Sequence, residues 1–176
     1  MIRRTLLLGL LLSACSDPVH DDRVSKLGGE TPGIPAGPRH RAGQPCLVCH
    51  SGMGPGEAEF SFAGTVYQTD DAKVPLEGAI VHLVDAAGKK HEVGTNCAGN
   101  FFVMRTDYEP TWPVFVKVIY GHVGSTPIER PMGSPIYREG SCAGCHVDPP
   151  GIEAVGHVSF ATAGSLPPLP VPECRE

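Results

Sequence analysis

The chain has 176 residues, enough for one domain with a small appendage. Its 22 glycines and 18 prolines argue against long helices and for turns, loops and short strands. A formal charge of -5 with no basic run excludes nucleic acid and anionic membrane surfaces as natural partners.

The chain begins like an export signal. Arg3 and Arg4 supply a positive start, Thr5 to Leu12 an apolar core, and Leu12-Ser13-Ala14-Cys15 the close. An apolar run of about eight residues is too short to span a bilayer, which takes about 20, so residues 1–14 are expected to be a cleaved signal peptide. Leu12 to Cys15 resembles the lipobox of bacterial lipoproteins. The resemblance implies cleavage before Cys15 and a lipid anchor on its sulfur. Ordinary secretion, with Cys15 removed in the peptide, is the alternative. Loss of Arg3 and Arg4 leaves 12 basic against 19 acidic side chains, a balance of -7. Ser16 follows Cys15; an Asp there would resemble an inner-membrane retention signal, so its absence favours the outer membrane of a double-membraned bacterium, facing the periplasm or the cell surface.

Residues 15–39 carry Pro18, Pro32, Pro35 and Pro38 and no apolar periodicity. A flexible tether is expected there. It leads into Cys46-Leu47-Val48-Cys49-His50, a pattern that recurs as Cys142-Ala143-Gly144-Cys145-His146. C-x-x-C-H is the attachment signal of c-type haem. Two thiols three positions apart on one helical turn reach the two vinyl groups of one porphyrin and form thioethers. The next residue, His, is then held under the ring as the proximal iron ligand. Two copies predict two covalently attached haems, with thioethers from Cys46, Cys49, Cys142 and Cys145 and proximal ligands His50 and His146. The competing readings are a four-cysteine zinc site, a dithiol redox motif and a pair of plain disulfides; none of them asks for a His after both second cysteines. In the first haem-binding segment, residues 40–59, His40 stands six residues before Cys46, where one loop can bring it to an iron. It is a distal-ligand candidate; the ordinary alternative is a solvated loop histidine.

Residues 60–121 read as strands. Phe62 to Tyr67 is β-branched and aromatic in character, and Ala79 to Asp85, Lys89 to Gly94, Phe101 to Met104 and Val114 to Ile119 follow it as short segments separated by Gly and Asn turns. Alternation puts Ala79, Val81 and Leu83 on one face, with His82 opposite, and Val114, Val116 and Val118 on another. These are the expected core. The run Gly64-Thr65-Val66, Pro75 to Ala79, Val81 to Asp85, Thr95 and Gly99-Asn100-Phe101 resembles the carboxypeptidase-regulatory-like, transthyretin-like β-sandwich over about 60 residues. Modules of that family are usually structural, and no catalytic residues carry over. The whole chain resembles small two-haem lipoprotein cytochromes of Gram-negative, especially myxobacterial, bacteria, with such a sandwich between the haem motifs. Arg41-Ala42 stands where that pattern often has Asn-Pro. The expected fold is therefore mainly β: an antiparallel sandwich flanked by two loop-rich haem-binding segments with very short helices.

The second haem-binding segment is expected over residues 122–165. Pro131 and Pro135 stiffen the loop around Met132, a second distal-ligand candidate or else porphyrin packing. His157, eleven residues after His146, is its rival, and Val158-Ser159-Phe160 reads as one more strand. The tail, residues 166–176, is proline-rich and expected to be extended. Cys97 and Cys174 are left over, and in an oxidising compartment two spare cysteines often pair. The stretch between the motifs, Ser51 to Ser141, is 91 residues. That separation leaves the distance between the irons open.

These features imply an electron carrier that exchanges electrons with a partner redox protein and is held at the membrane by its lipid. The alternatives are a haem enzyme such as a peroxidase, which needs an open sixth iron position, and a haem-based redox or gas sensor. No Ser-His-Asp or paired-carboxylate arrangement stands out, so the carrier is preferred.

Overall fold

A computed structural model describes residues 17–121, 126–152, 154–167 and 169–174. The signal peptide and Cys15 lie outside the described residues. The chain is mainly β, as expected; among the described residues there are two α-helices, Pro18–Lys26 and Leu47–His50, a 3-10 turn at Cys142–Gly144, and eight strands. The strands are β1 (Phe60–Thr65), β2 (Tyr67–Thr69), β3 (Ile80–Asp85), β4 (Lys90–Gly94), β5 (Asn100–Met104), β6 (Val114–Tyr120), β7 (Ile128–Pro131) and β8 (Ser159–Ala161).

One layer is an antiparallel sheet in the order β4-β3-β6-β7. The other is built from the antiparallel pair β1-β5, with β2 and β8 paired in parallel beside it. The alternation read from sequence decides what faces inward. Ala79, Val81, Leu83, Val114 and Val118 are buried and meet Phe62, Val66, Phe101, Val103 and Phe160 in a single apolar cluster. Val116 packs against its margin, and His82 turns outward to pair with Glu92 at 2.7 Å. Truncating a core side chain such as Leu83 would remove both transfer energy and packing.

Asp85 ends β3 pointing inward. Its Oδ1 accepts from the N–H groups of Ala87 (3.0 Å) and Lys89 (2.8 Å), and its Oδ2 from Thr111 (2.9 Å). The Thr111 bond, aided by those from Lys89 and Ala87, holds the carboxyl below its ordinary value. A depressed folded value means that the stabilisation is present at neutral pH and is lost as pH falls through it.

Three boundaries differ from the sequence expectation. Residues 15–39 are not a featureless tether where they are described. Asp17 caps a helix, its Oδ1 accepting from Val19 and His20 N–H at 3.1 Å, and Pro18 occupies the first turn, where a missing N–H costs nothing. Residues 122–165 also contribute to the sandwich. Ile128–Pro131 is an edge strand on β6, with Pro131 opposite Lys117; an edge position tolerates a residue that cannot donate to the ladder. β8 is the strand expected near Val158, but it pairs in parallel with β2, Tyr67 opposite Ser159 and Thr69 opposite Ala161.

Cys97 and Cys174 are bonded, across a sequence separation of 77. The bond pins the proline-rich tail to the turn before β5, and Gln68 Nε2 donates to the Pro170 carbonyl at 2.9 Å to hold the same segment. Closing a loop of this length restricts the unfolded chain. Replacing Cys97 and Cys174 together with Ala is expected to lower stability by about 2–4 kcal/mol. Denaturant unfolding measures it, and an unchanged midpoint would show that the bond does not hold the fold.

Candidate functional site

Each C-x-x-C-H pentapeptide closes a single turn. His50 N donates to the Cys46 carbonyl at 2.9 Å, and His146 N to the Cys142 carbonyl at 2.9 Å. The turn puts both cysteines and the histidine of a motif on one short, rigid piece of backbone. Beyond the turns, the two histidines are braced alike. His50 Nδ1 lies 2.8 Å from the Ala58 carbonyl, and His146 Nδ1 lies 3.0 Å from the Gly156 carbonyl. A carbonyl oxygen only accepts, so Nδ1 carries a proton in both rings, and in the neutral form Nε2 has the lone pair. A carbonyl behind the ring in this way fixes the tautomer and orientation of a metal-binding histidine.

At the first motif the loop after His50 must fold back tightly to deliver Ala58. Gly56 makes this possible, since a Cβ there would fall on the His50 ring. His50 stacks on Phe60 (4.4 Å between centroids, 20°), and Phe60 stacks on Phe102 (5.0 Å, 22°). His40 faces His50 with ring centroids 6.0 Å apart and planes at 63°. Two imidazoles that bind one metal ion from opposite sides, each through a bond of about 2 Å, hold their centres about 6 Å apart. His40 is held from both ends of its loop. Its carbonyl accepts from Asn100 Nδ2 at 3.0 Å, and Glu30 Oε1 stands 3.5 Å from its Nδ1.

These residues border a cavity of about 740 Å³ that contains Cys46, Cys49, His40 and His50 and is walled by Leu27, Phe60, Phe101 and Phe102. The volume lies within the range of small-molecule sites. The N-terminal helix reaches this wall through Val24 and Leu27. Arg41 fastens it there. Its Nε pairs with Glu30 Oε1 at 2.9 Å, Nη2 donates to the Gly28 carbonyl at 2.8 Å, and Nη1 donates to Gln44 Oε1 at 2.9 Å. Arg41 adopts a positive φ of 51°, unusual for a residue with a side chain, and that backbone turn aims it back at the helix.

At the second motif the neighbouring cavity is about 290 Å³, bordered by Cys142, Ala143, His146, Tyr67, Lys73, Asp148 and His157. His157 is not free to bind a metal. Its Nε2 donates to the Thr69 carbonyl at 2.9 Å, and its Nδ1 faces both carboxylate oxygens of Asp148 at 3.0 and 2.9 Å. Asp148 is held down to about 2, chiefly by the Lys73 ammonium at 2.9 Å and then by His157. In this arrangement His157 braces β2 against the second motif while bordering the same cavity as His146. Met132 follows β7 on the sheet edge, partly exposed, its N–H donating to the Val116 carbonyl at 2.9 Å. It borders neither cavity, so the structure does not bring the expected second distal candidate to a motif.

Burial pushes the Cys46 thiol up to about 11 and the Cys142 thiol up to about 12, the latter aided by Cys46. Among the described residues, no group of three or more His, Cys, Asp or Glu is arranged to share one ion. The brace carbonyls of Ala58 and Gly156 escape sequence reading because any residue supplies a carbonyl. No family model, curated protein or solved structure matches the chain.

Proposed function

We propose that this chain is a small two-haem c-type cytochrome, held by lipid at Cys15 on the periplasmic or outer face of a bacterial membrane, that exchanges single electrons with a partner redox protein. The observation that carries this reading is the placement of His40 and His50, ring centroids 6.0 Å apart, on one largely apolar cavity that both cysteines of the motif also border. Cys46 and Cys49 would tether one porphyrin and Cys142 and Cys145 the other, with Nε2 of His50 and of His146 turned to the irons. The haem supplies a one-electron iron couple whose potential depends on its axial ligands and surroundings. The chain supplies the rest. Ala58 and Gly156 would fix the histidine tautomers, His40 would offer a second ligand at the first site, and Leu27, Phe60 and Phe102 would exclude water. A second protein ligand there would favour electron carriage over a peroxidase or gas-sensing role.

The test is the mass of protein matured in a host that attaches haem c. Two haem masses that survive denaturation are expected, and a bound zinc without covalent haem would end the reading. No helix among the described residues is long and apolar enough to cross a membrane. Cys15→Ala is expected to abolish lipid labelling and to release the protein from the membrane fraction. Retention of that variant on membranes after a high-salt wash would refute the anchor.

A further inference from the structure

The two motifs are separated by 91 residues of sequence, yet both are assembled on β1. The lead-in to the first motif is tied to its end. Gly43 N donates to Thr65 Oγ1 at 2.7 Å, Thr65 Oγ1 donates to Asn100 Oδ1 at 2.7 Å, and Asn100 holds the His40 carbonyl. The lead-in to the second motif runs beside the same strand. Ala63 N donates to the Gly140 carbonyl at 3.0 Å, and Ser141 bridges Ala63 in parallel. Cys142 then lies directly on Gly64. A Cβ built at Gly64 would be 2.7 Å from the Cys142 Cβ and 2.8 Å from its Sγ. Gly43, Gln44 and Pro45, the residues just before Cys46, form one wall of the cavity at Cys142 and His146. Cys46 is also close enough to Cys142 to act on its charge state. Cys145, by contrast, is exposed.

The geometry points to a paired centre, in which β1 turns the Cys46 edge of one site and the Cys142 edge of the other toward each other, with Gly64 as the positioning residue that sets their approach. This deepens the two-haem reading and rests on it. With haems held by Cys46 and Cys49 and by Cys142 and Cys145, the pair would allow one electron to move between them, one haem being oxidised as the other is reduced. A one-electron redox protein is the external donor or acceptor. The exposed Cys145 side is the open end of the pair, while the N-terminal helix covers part of the first site. Gly64 has a physical role that no other residue can take: any side chain there must push Cys142, and with it the second motif, off the strand.

The experiment is electron paramagnetic resonance of the oxidised holoprotein, with the haem content of each sample checked by mass. Pairing predicts that the ferric signal of the first iron relaxes faster in the wild type than in a one-haem variant, Cys142→Ala with Cys145→Ala, because a second nearby paramagnet shortens its relaxation. Gly64→Val is expected to lose part of that effect while keeping both haem masses. Should Gly64→Val not fold, Gly64→Ala replaces it, and the wild type against the one-haem variant decides the pairing regardless. Equal relaxation in those two samples, with two haem masses present in the wild type, overturns the pairing and leaves the cytochrome reading standing. Unchanged relaxation in a folded two-haem Gly64 variant overturns the role of Gly64. A wild type without two haem masses overturns the reading beneath both.

Discussion

Replacing Cys46 and Cys49 together with Ala is expected to remove one of two covalent haems and leave the other. Thioether attachment depends on the motif's own thiols, and the second motif has its own turn, its own Nδ1 brace to Gly156 and its own cysteines. The remaining haem should stay bound through denaturation. The fold should also lose stability. The cavity of about 740 Å³ at the first motif is walled by Val24, Leu27, Phe60, Phe101 and Phe102, which would face water or collapse on one another without a porphyrin between them. Partial exposure of several large apolar side chains corresponds to roughly 3–5 kcal/mol. The N-terminal helix should loosen first, since its inner residues Val24 and Leu27 would then rest only on the Arg41 clamp. Mass spectrometry reads the haem content and thermal unfolding reads the loss. Two haem masses on this variant would show that Cys46 and Cys49 are not an attachment site.

The parts of this molecule that were legible in sequence are those that depend on local spacing. C-x-x-C-H declares a single turn within five residues, and both copies close one, His50 N on the Cys46 carbonyl and His146 N on the Cys142 carbonyl. Val81 and Leu83, or Val114 and Val118, declare an inward face because strand side chains alternate. What stayed hidden depends on partners distant in the chain. The N-terminal helix has its own cap at Asp17 and Pro18, but Asp22–Lys26 is an exposed pair and few of its residues are apolar, so its reason to be ordered lies in Arg41 and the wall of the first cavity. Pro131 looked like a loop residue because the sequence does not show that β7 would be an edge strand. His157 looked like a ligand because nothing in its neighbourhood reveals that the Thr69 carbonyl takes its Nε2. The convergence of the motifs on β1 follows from Gly64 and Gly140, two small residues with no periodic signal.

His40→Ala is expected to convert one iron from low-spin to high-spin, or to a water- or hydroxide-bound form, without loss of haem mass. The His40 and His50 ring centroids stand 6.0 Å apart, about the spacing of two imidazoles on one ion. His50 is fixed by Ala58 and stacked on Phe60, so it will keep its place when His40 is removed. The thioethers hold the porphyrin independently, so attachment does not depend on His40. The potential of that iron should shift, because axial ligation is one of the main levers on it. His40→Met should restore a six-coordinate iron at a higher potential, since a His/Met pair raises it. Met132→Ala should leave both irons unchanged, as Met132 borders neither cavity. His157→Ala should destabilise the fold by about 1–3 kcal/mol, the cost of stranding Asp148 and the Thr69 carbonyl, with no direct change of ligand at either iron. Electron paramagnetic resonance and a reduced-minus-oxidised spectrum of each variant separate these outcomes. If His157→Ala or Met132→Ala produces the spin change and His40→Ala does not, the assignment of His40 is wrong. If the wild type already contains a high-spin iron at the first motif that binds cyanide rapidly, the sixth position is open there, and an enzyme or sensor takes the place of the carrier.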